Sequence, residues 1–288
     1  LKHSSALRLL VWVGACLPVS ALLLLGANPT ELATALSCSY IVSFHLAPWG
    51  VLGLCALICI SKRRLILSAM ELPPSLPFIL AGLVLLGLAL AIPLSADLFL
   101  LRLLVAWVGL FAVCFGRAAL VPLILLATYA FTIYFPILVN SYLAAGFVST
   151  AVAPVAWLVR LSGLHIVPAG QAFQFLLPSG QPIVVQVASA CAGSSTMSVF
   201  VVIFVLMMLD LPLPRSQAVP VFLMGVVGTW LQNVARIIVI LGCGYFWGAN
   251  ALETAHYWTV YVIFPLWYLL FVSLYLRYVK KTAPVLPG

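Results

Sequence analysis

The sequence predicts an all-α integral membrane protein, a polytopic bundle of about eight transmembrane helices. Three observations carry that prediction. Of 288 residues, 65% are apolar and only 6% charged, against roughly a quarter charged in soluble domains. Mean hydropathy is +1.26. Apolar runs of about 20 residues recur, enough for a helix to cross a hydrocarbon core about 30 Å thick, and no stretch shows the dyad alternation of outer-membrane strands.

The first run, Ala6 to Ala27, follows Lys2 and Arg8 in the manner of a signal peptide, but its length and the lack of a small-x-small cleavage site predict a retained helix. Breakers then delimit about Ser37 to Ile60, Leu76 to Leu94, Leu98 to Phe115, Ala119 to Tyr142, Cys191 to Leu209, Gln217 to Leu241 and about Ala255 to Leu276. Pro48 predicts that the second run is kinked or partly interfacial. There is no internal repeat and no low-complexity linker.

Orientation follows from charge. With the amino terminus inside, Lys2, Arg8, the cluster Lys62, Arg63 and Arg64, then Arg117, Arg215, Arg277, Lys280 and Lys281 collect on the inner side, ten of the thirteen basic residues. Arg102, Arg160 and Arg236 are left over, so the positive-inside rule gives an N-in, C-in arrangement. The net charge of +8 therefore reflects loops that set topology, and no nucleic-acid partner is expected. Seven cysteines, an odd number scattered mostly within apolar runs without CxxC pairing, give no disulfide framework and no zinc site. No metal or other cofactor is expected.

Between the fifth and sixth runs lies a different kind of segment, residues 143–190. FVSTAVAPVAWLVRLSG predicts a short helix interrupted by Pro154, with Trp157 and Arg160 suited to the membrane interface. Further on, PSGQP is a turn flanked by FQFLL and IVVQV, which predicts a small extended hairpin on the outer face. The hairpin delivers the chain to Cys191.

With this topology the sixth run descends from Cys191, the seventh ascends through Arg236, and the eighth descends past His256, so all three lie near the outer surface. Arg236 sits about 9 Å below Gly242 by helical rise. Cysteines within membrane helices mostly pack as small apolar residues, and Cys55 with Cys59 at i, i+4 reads that way. Cys191 differs in heading a helix, where the positive end of the macrodipole and unpaired backbone N–H groups favour a reactive thiolate. A guanidinium inside a span costs on the order of 2.5–3.5 kcal/mol, which marks Arg236 as a functional candidate unless it snorkels to the interface or pairs with Glu253. Asn233, three residues earlier, is placed to hold that guanidinium or to donate a hydrogen bond itself. His256 supplies both base and acid near neutral pH. Glu253, one turn before it, is placed to orient the imidazole or to balance Arg236.

At these residues the sequence resembles the exosortase/archaeosortase family of integral-membrane cysteine transpeptidases. The resemblance rests on Cys191-Ala192-Gly193 heading one span, Asn233-Val234-Ala235-Arg236 in the next, and His256 at the start of the last. It extends from about Pro122 to Tyr278, while the first four spans match only in being apolar. Two features depart from the family pattern: Ser194 and Ser195 follow the glycine where Leu-Arg is usual, and no glycine stands shortly after His256. The chain 1–288 reads as a single transmembrane domain, with N-terminal spans in 1–118, a catalytic core in 119–278 and the outer-face helix and hairpin in 143–190.

The resemblance implies a membrane-embedded cysteine peptidase and transpeptidase of a prokaryotic inner membrane, its site facing the periplasm or exterior. Its partners would be exported proteins ending in a short motif, a hydrophobic helix and a basic tail, passed through a thioacyl intermediate to a membrane lipid or glycan acceptor. Cys191, Arg236 and His256 carry the implied catalysis, with Asn233 and Glu253 in support. Rival readings are a small membrane transporter, which would spread polar residues through the midplane, a non-catalytic anchoring subunit of a secretion or polysaccharide system, and a redox pair of Cys191 with Cys243.

Overall fold

The computed structural model describes residues 3–24, 29–30, 33, 46–93, 95, 98–189 and 191–282. The beginning of the second expected run, residues 37–45, lies outside them. Among the described residues, four runs are long and apolar enough to cross a membrane: Ala6–Leu24, Phe99–Leu161, Arg215–Trp247 and Ala249–Lys281. Pro48–Ser61, Leu76–Ala91 and Ser194–Asp210 are shorter apolar helices. The chain is a mostly helical, multi-pass membrane protein.

It divides into two compact units, Leu1–Phe131 and Thr132–Gly288. In the first, α1 (His3–Leu24), α2 (Leu46–Ser61), α3 (Arg63–Met70), α4 (Leu76–Ala91) and α5 (Phe99–Phe115) lead through a 3₁₀ turn, Gly116–Ala119, into α6 (Leu120–Leu138), within which the division falls. Ser75 caps α4 with proline in its first turn, where the missing N–H has no helical partner to lose. Arg8 of α1 shows how this unit treats a cation. Its guanidinium donates to the carbonyl oxygens of Met70 at 2.9 Å, Leu72 at 3.1 Å and Cys114 at 3.4 Å. These lie at the carboxyl ends of α3 and α5, where orphan carbonyls gather the negative end of the helix dipole.

The second unit holds the candidate site. After the end of α6, a π turn at Val139–Leu143 enters α7 (Ala144–Leu161), followed by β1 (Val167–Ala169), β2 (Ala172–Leu176) and β3 (Pro182–Gln186). The three strands form an antiparallel sheet in the order β1-β2-β3, with Phe173 opposite Val185 and Phe175 opposite Ile183. Alternation sends Phe173 and Phe175 to the buried face and leaves Gln174 exposed.

Contrary to the sequence expectation, Pro154 does not interrupt α7, which is continuous from Ala144 to Leu161. A helical proline cannot donate to the carbonyl four residues earlier. That carbonyl, on Thr150, instead accepts from Trp230 Nε1 at 3.1 Å. Val148, Ala151, Val155 and Val159 form the buried stripe of α7, while Trp157 and Arg160 are exposed.

Three helices complete the unit: α8 (Ser194–Asp210), α9 (Arg215–Trp247) and α10 (Ala249–Thr282). Both α9 and α10 are longer than the periodicity predicted. Gly242 does not end α9; the break is the single residue Gly248, at φ +90° and ψ −175°, a conformation open essentially to glycine alone. The last helix therefore starts six residues ahead of Ala255. Two apolar clusters hold these elements together. One joins Val148 and Val155 of α7 and Phe173 and Phe175 of β2 to Val234, Ile237 and Leu241 of α9. The other stacks Phe200 and Phe204 of α8 on Val221 of α9 and Phe271 and Tyr275 of α10, with Phe200 and Phe271 edge to face at 5.0 Å between centroids.

Candidate active site

The turn before α8 positions Cys191. Gly193 is the N-cap, at φ +100° and ψ 18°, a left-handed conformation that glycine adopts without the clash of a Cβ. A Cβ there would also stand 2.9 Å from Asn233 Cγ. The turn is closed by Ala192 N donating to Ala188 O at 2.9 Å and Ser194 N donating to Ser189 O at 3.4 Å. Ser189 in turn donates through Oγ to Asn140 Oδ1, in the π turn, at 2.8 Å. The helix itself begins at Ser194, so Cys191 is not in its first turn as the sequence suggested but two residues before the cap. It is half-buried and free, as is Cys243.

Asn233 and Arg236 reach this end of α8 from α9. Asn233, 1% exposed, donates from Nδ2 to the carbonyl oxygen of Cys191 at 3.0 Å. Of the two roles open to it in the sequence, it takes the donor role, and the guanidinium is held elsewhere. Arg236 is 5% exposed. Its Nε donates to Thr259 Oγ1 at 3.2 Å and one terminal nitrogen donates to the backbone oxygen of His256 at 3.3 Å. The ring of Phe264 lies 5.3 Å from Cζ, a cation–π distance.

These partners are neutral. Glu253 lies in the first turns of α10 and is exposed; among the described residues it makes no ion pair with Arg236 or hydrogen bond to His256, so neither balancing nor orienting is seen. A guanidinium held by a hydroxyl, a carbonyl and a ring face keeps its full charge available for an anion. Cys191 and the His256 side chain both lie within electrostatic reach of it. His256 is exposed. The backbones of Cys191 and His256 are thus tied to Asn233 and Arg236, one turn apart on α9.

Thr259 and Phe264 were not singled out in the sequence as holders of the site. Thr259 stands one helical turn beyond His256, and that i, i+3 spacing is the signal that could have found it. Phe264 carried no signal among so many aromatics.

The sequence model of one family, described as Transmembrane exosortase, matches residues 44–273. The chain belongs to the transmembrane exosortase family. No curated protein and no solved structure matched the chain. Exosortases in general are transpeptidases that process sorting signals of exported proteins. The matched region begins upstream of α2 and ends within α10, so it takes in helices that the sequence alone related to the family only by their apolar character, together with the whole site built above.

Proposed function

We propose that this exosortase is a membrane-embedded cysteine peptidase and transpeptidase that uses Cys191 as nucleophile, His256 as acid and base, and Arg236 as the stabiliser of negative charge. One observation carries the reading: Asn233 and Arg236, one turn apart on α9, tie the Cys191 turn and the His256 backbone to the same short stretch of helix. The topology in which the site opens to the exterior is N-in, C-in with about eight crossings, in a prokaryotic inner membrane. That orientation lets a substrate with an apolar tail and a basic end pack laterally, its basic end inside and its short motif at the outer face.

The Cys191 thiolate adds to the carbonyl carbon of the motif's scissile peptide bond, forming a C–S bond and an oxyanion. Arg236 supports thiolate and oxyanion in poorly hydrated surroundings. Asn233 fixes the nucleophile's backbone. Collapse breaks the C–N bond, and His256, holding the thiol proton, gives it to the leaving amine, releasing the tail. A lipid amine or glycan hydroxyl, or water by default, then adds to the thioester. Its proton passes to His256 and the C–S bond breaks, restoring the thiolate.

The test is co-expression with exported proteins of the same genome that end in a motif, an apolar helix and a basic tail. Wild type shortens such a protein, and Cys191→Ala does not while remaining abundant in the membrane. Continued shortening by Cys191→Ala removes the nucleophile from the scheme.

A further inference from the structure

Beside the groups already given roles, α9 carries a buried side chain that the proposed reaction does not use. Gln232 is 8% exposed, and neither its Nε2 nor its Oε1 has a hydrogen-bond partner. The next residue, Asn233, commits Nδ2 to Cys191 and leaves Oδ1 buried and unpartnered. Nearby buried hydroxyls behave differently. Thr229 donates to Gly225 O at 2.8 Å, Thr196 to Gly193 O at 3.0 Å and Ser198 to Ser195 O at 2.8 Å, each satisfied by its own helix or cap.

The helical stripe fixes where Gln232 faces. Thr229, three residues earlier, accepts from Trp267 Nε1 at 2.9 Å, and Arg236, four residues later, meets Thr259 and His256. All these partners belong to α10, so Gln232 faces α10 between them. Asn233, turned by about 100°, faces the Cys191 turn instead. Its contact there sets Gln232 at nearly the same height along α9 as the nucleophile.

A primary carboxamide presents an N–H donor and a C=O acceptor side by side, the complement of the N–H and C=O of one residue in an extended chain, which belong to its two flanking peptide groups. A polypeptide that offers a carbonyl to Cys191 must be locally unwound, which strips helical partners from its flanking N–H and C=O groups. In apolar surroundings such groups have to be satisfied by the protein. We propose that Gln232 is a substrate-binding residue whose carboxamide pairs with the backbone N–H and C=O of one substrate residue, unwound beside Cys191, in a two-point hydrogen bond, while Asn233 Oδ1 accepts from a neighbouring substrate N–H. The proposal rests on reading Cys191 as the acyl-accepting nucleophile.

The experiment measures binding of a synthetic C-terminal peptide, taken from a tailed protein that the wild type cleaves, to full-length Cys191→Ala protein in nanodiscs. The peptide is also made with single backbone amides replaced by esters around the cleaved bond. Gln232→Met, close in shape, weakens the all-amide peptide roughly tenfold, and its unfolding temperature stays at or above that of the parent. Gln232→Asn, with the same group on a shorter arm, also weakens binding and serves if the methionine variant does not fold. One ester costs the parent about the same tenfold factor and costs Gln232→Met nothing, because the two changes remove one interaction. Undiminished binding by Gln232→Met, or ester losses that multiply with it at every position, overturns the assignment. If peptide is cleaved and these results appear, only the role of Gln232 falls; if no tailed protein is cleaved at all, the transpeptidase reading falls and this one with it.

Discussion

Asn233 Nδ2 donates to the carbonyl oxygen of Cys191 at 3.0 Å, across 42 residues of sequence. The bond ties the turn ahead of α8 to the middle of α9, and the same turn leaves no space for a Cβ at Gly193. Asn233→Ala should therefore lower processing by one to two orders of magnitude while costing about 1–3 kcal/mol of stability, read by gel shift of a tailed protein and by thermal unfolding in detergent. Equal activity in the variant would mean that the turn holds its shape unaided.

Gly193→Ala should cost about 1–3 kcal/mol from left-handed strain and the approach to Asn233 Cγ. Part of that cost comes from Asn233 itself. Adding Asn233→Ala should relieve some of it, so the double variant is more stable than the two single losses summed. Strict additivity in unfolding temperature would show that backbone strain acts alone.

Arg236 divides stability from chemistry. Arg236→Lys keeps a charge but cannot reproduce the Nε and terminal-nitrogen bonds to Thr259 and His256 together, so processing should fall at least tenfold. Arg236→Met removes a buried, uncompensated cation and should leave the fold as stable as the parent or more so, with no processing. An active methionine variant would contradict the charge-stabilising role.

Thr259→Val removes the hydroxyl that accepts from Arg236 Nε while conserving shape. An orphaned buried donor costs about 1–3 kcal/mol, and processing should drop several-fold, whereas Thr259→Ser should retain both. Comparing the two variants in one activity and melting series separates the hydroxyl from the packing.

Trp230→Phe is the contrasting case. It strands the Thr150 carbonyl left open by Pro154, which should lower stability by about 1 kcal/mol and leave processing unchanged. Reduced activity at undiminished stability would tie α7 to catalysis.

These residues also show what was legible in the sequence. Arg236 stands out because a cation in an apolar run has an energetic cost visible without coordinates, and Cys191 because it heads such a run; the Asn233 bond brings the Cys191 turn within one helical turn of Arg236 on α9. The limits were set by single backbone conformations and by partners distant along the chain. Gly242 and Gly248 look alike in sequence, yet only Gly248 takes the conformation that ends α9, so α10 begins early and His256 lies well inside a helix. Pro154 reads as a break because the Trp230 bond that completes its turn comes from another helix. Glu253 was the natural partner for Arg236 by charge; hydroxyl, carbonyl and ring partners won, and no charge pattern announces those.

The most direct measurement is mass spectrometry of the wild-type protein reacted with a tailed substrate and quenched in acid before acceptor is added. A mass increase confined to the peptide containing Cys191, equal to the substrate's amino-terminal portion less water and removed by hydroxylamine, is the predicted result. Substrate cleaved with Cys191 unmodified under every quench, or an adduct on another residue, would contradict covalent catalysis by this thiol.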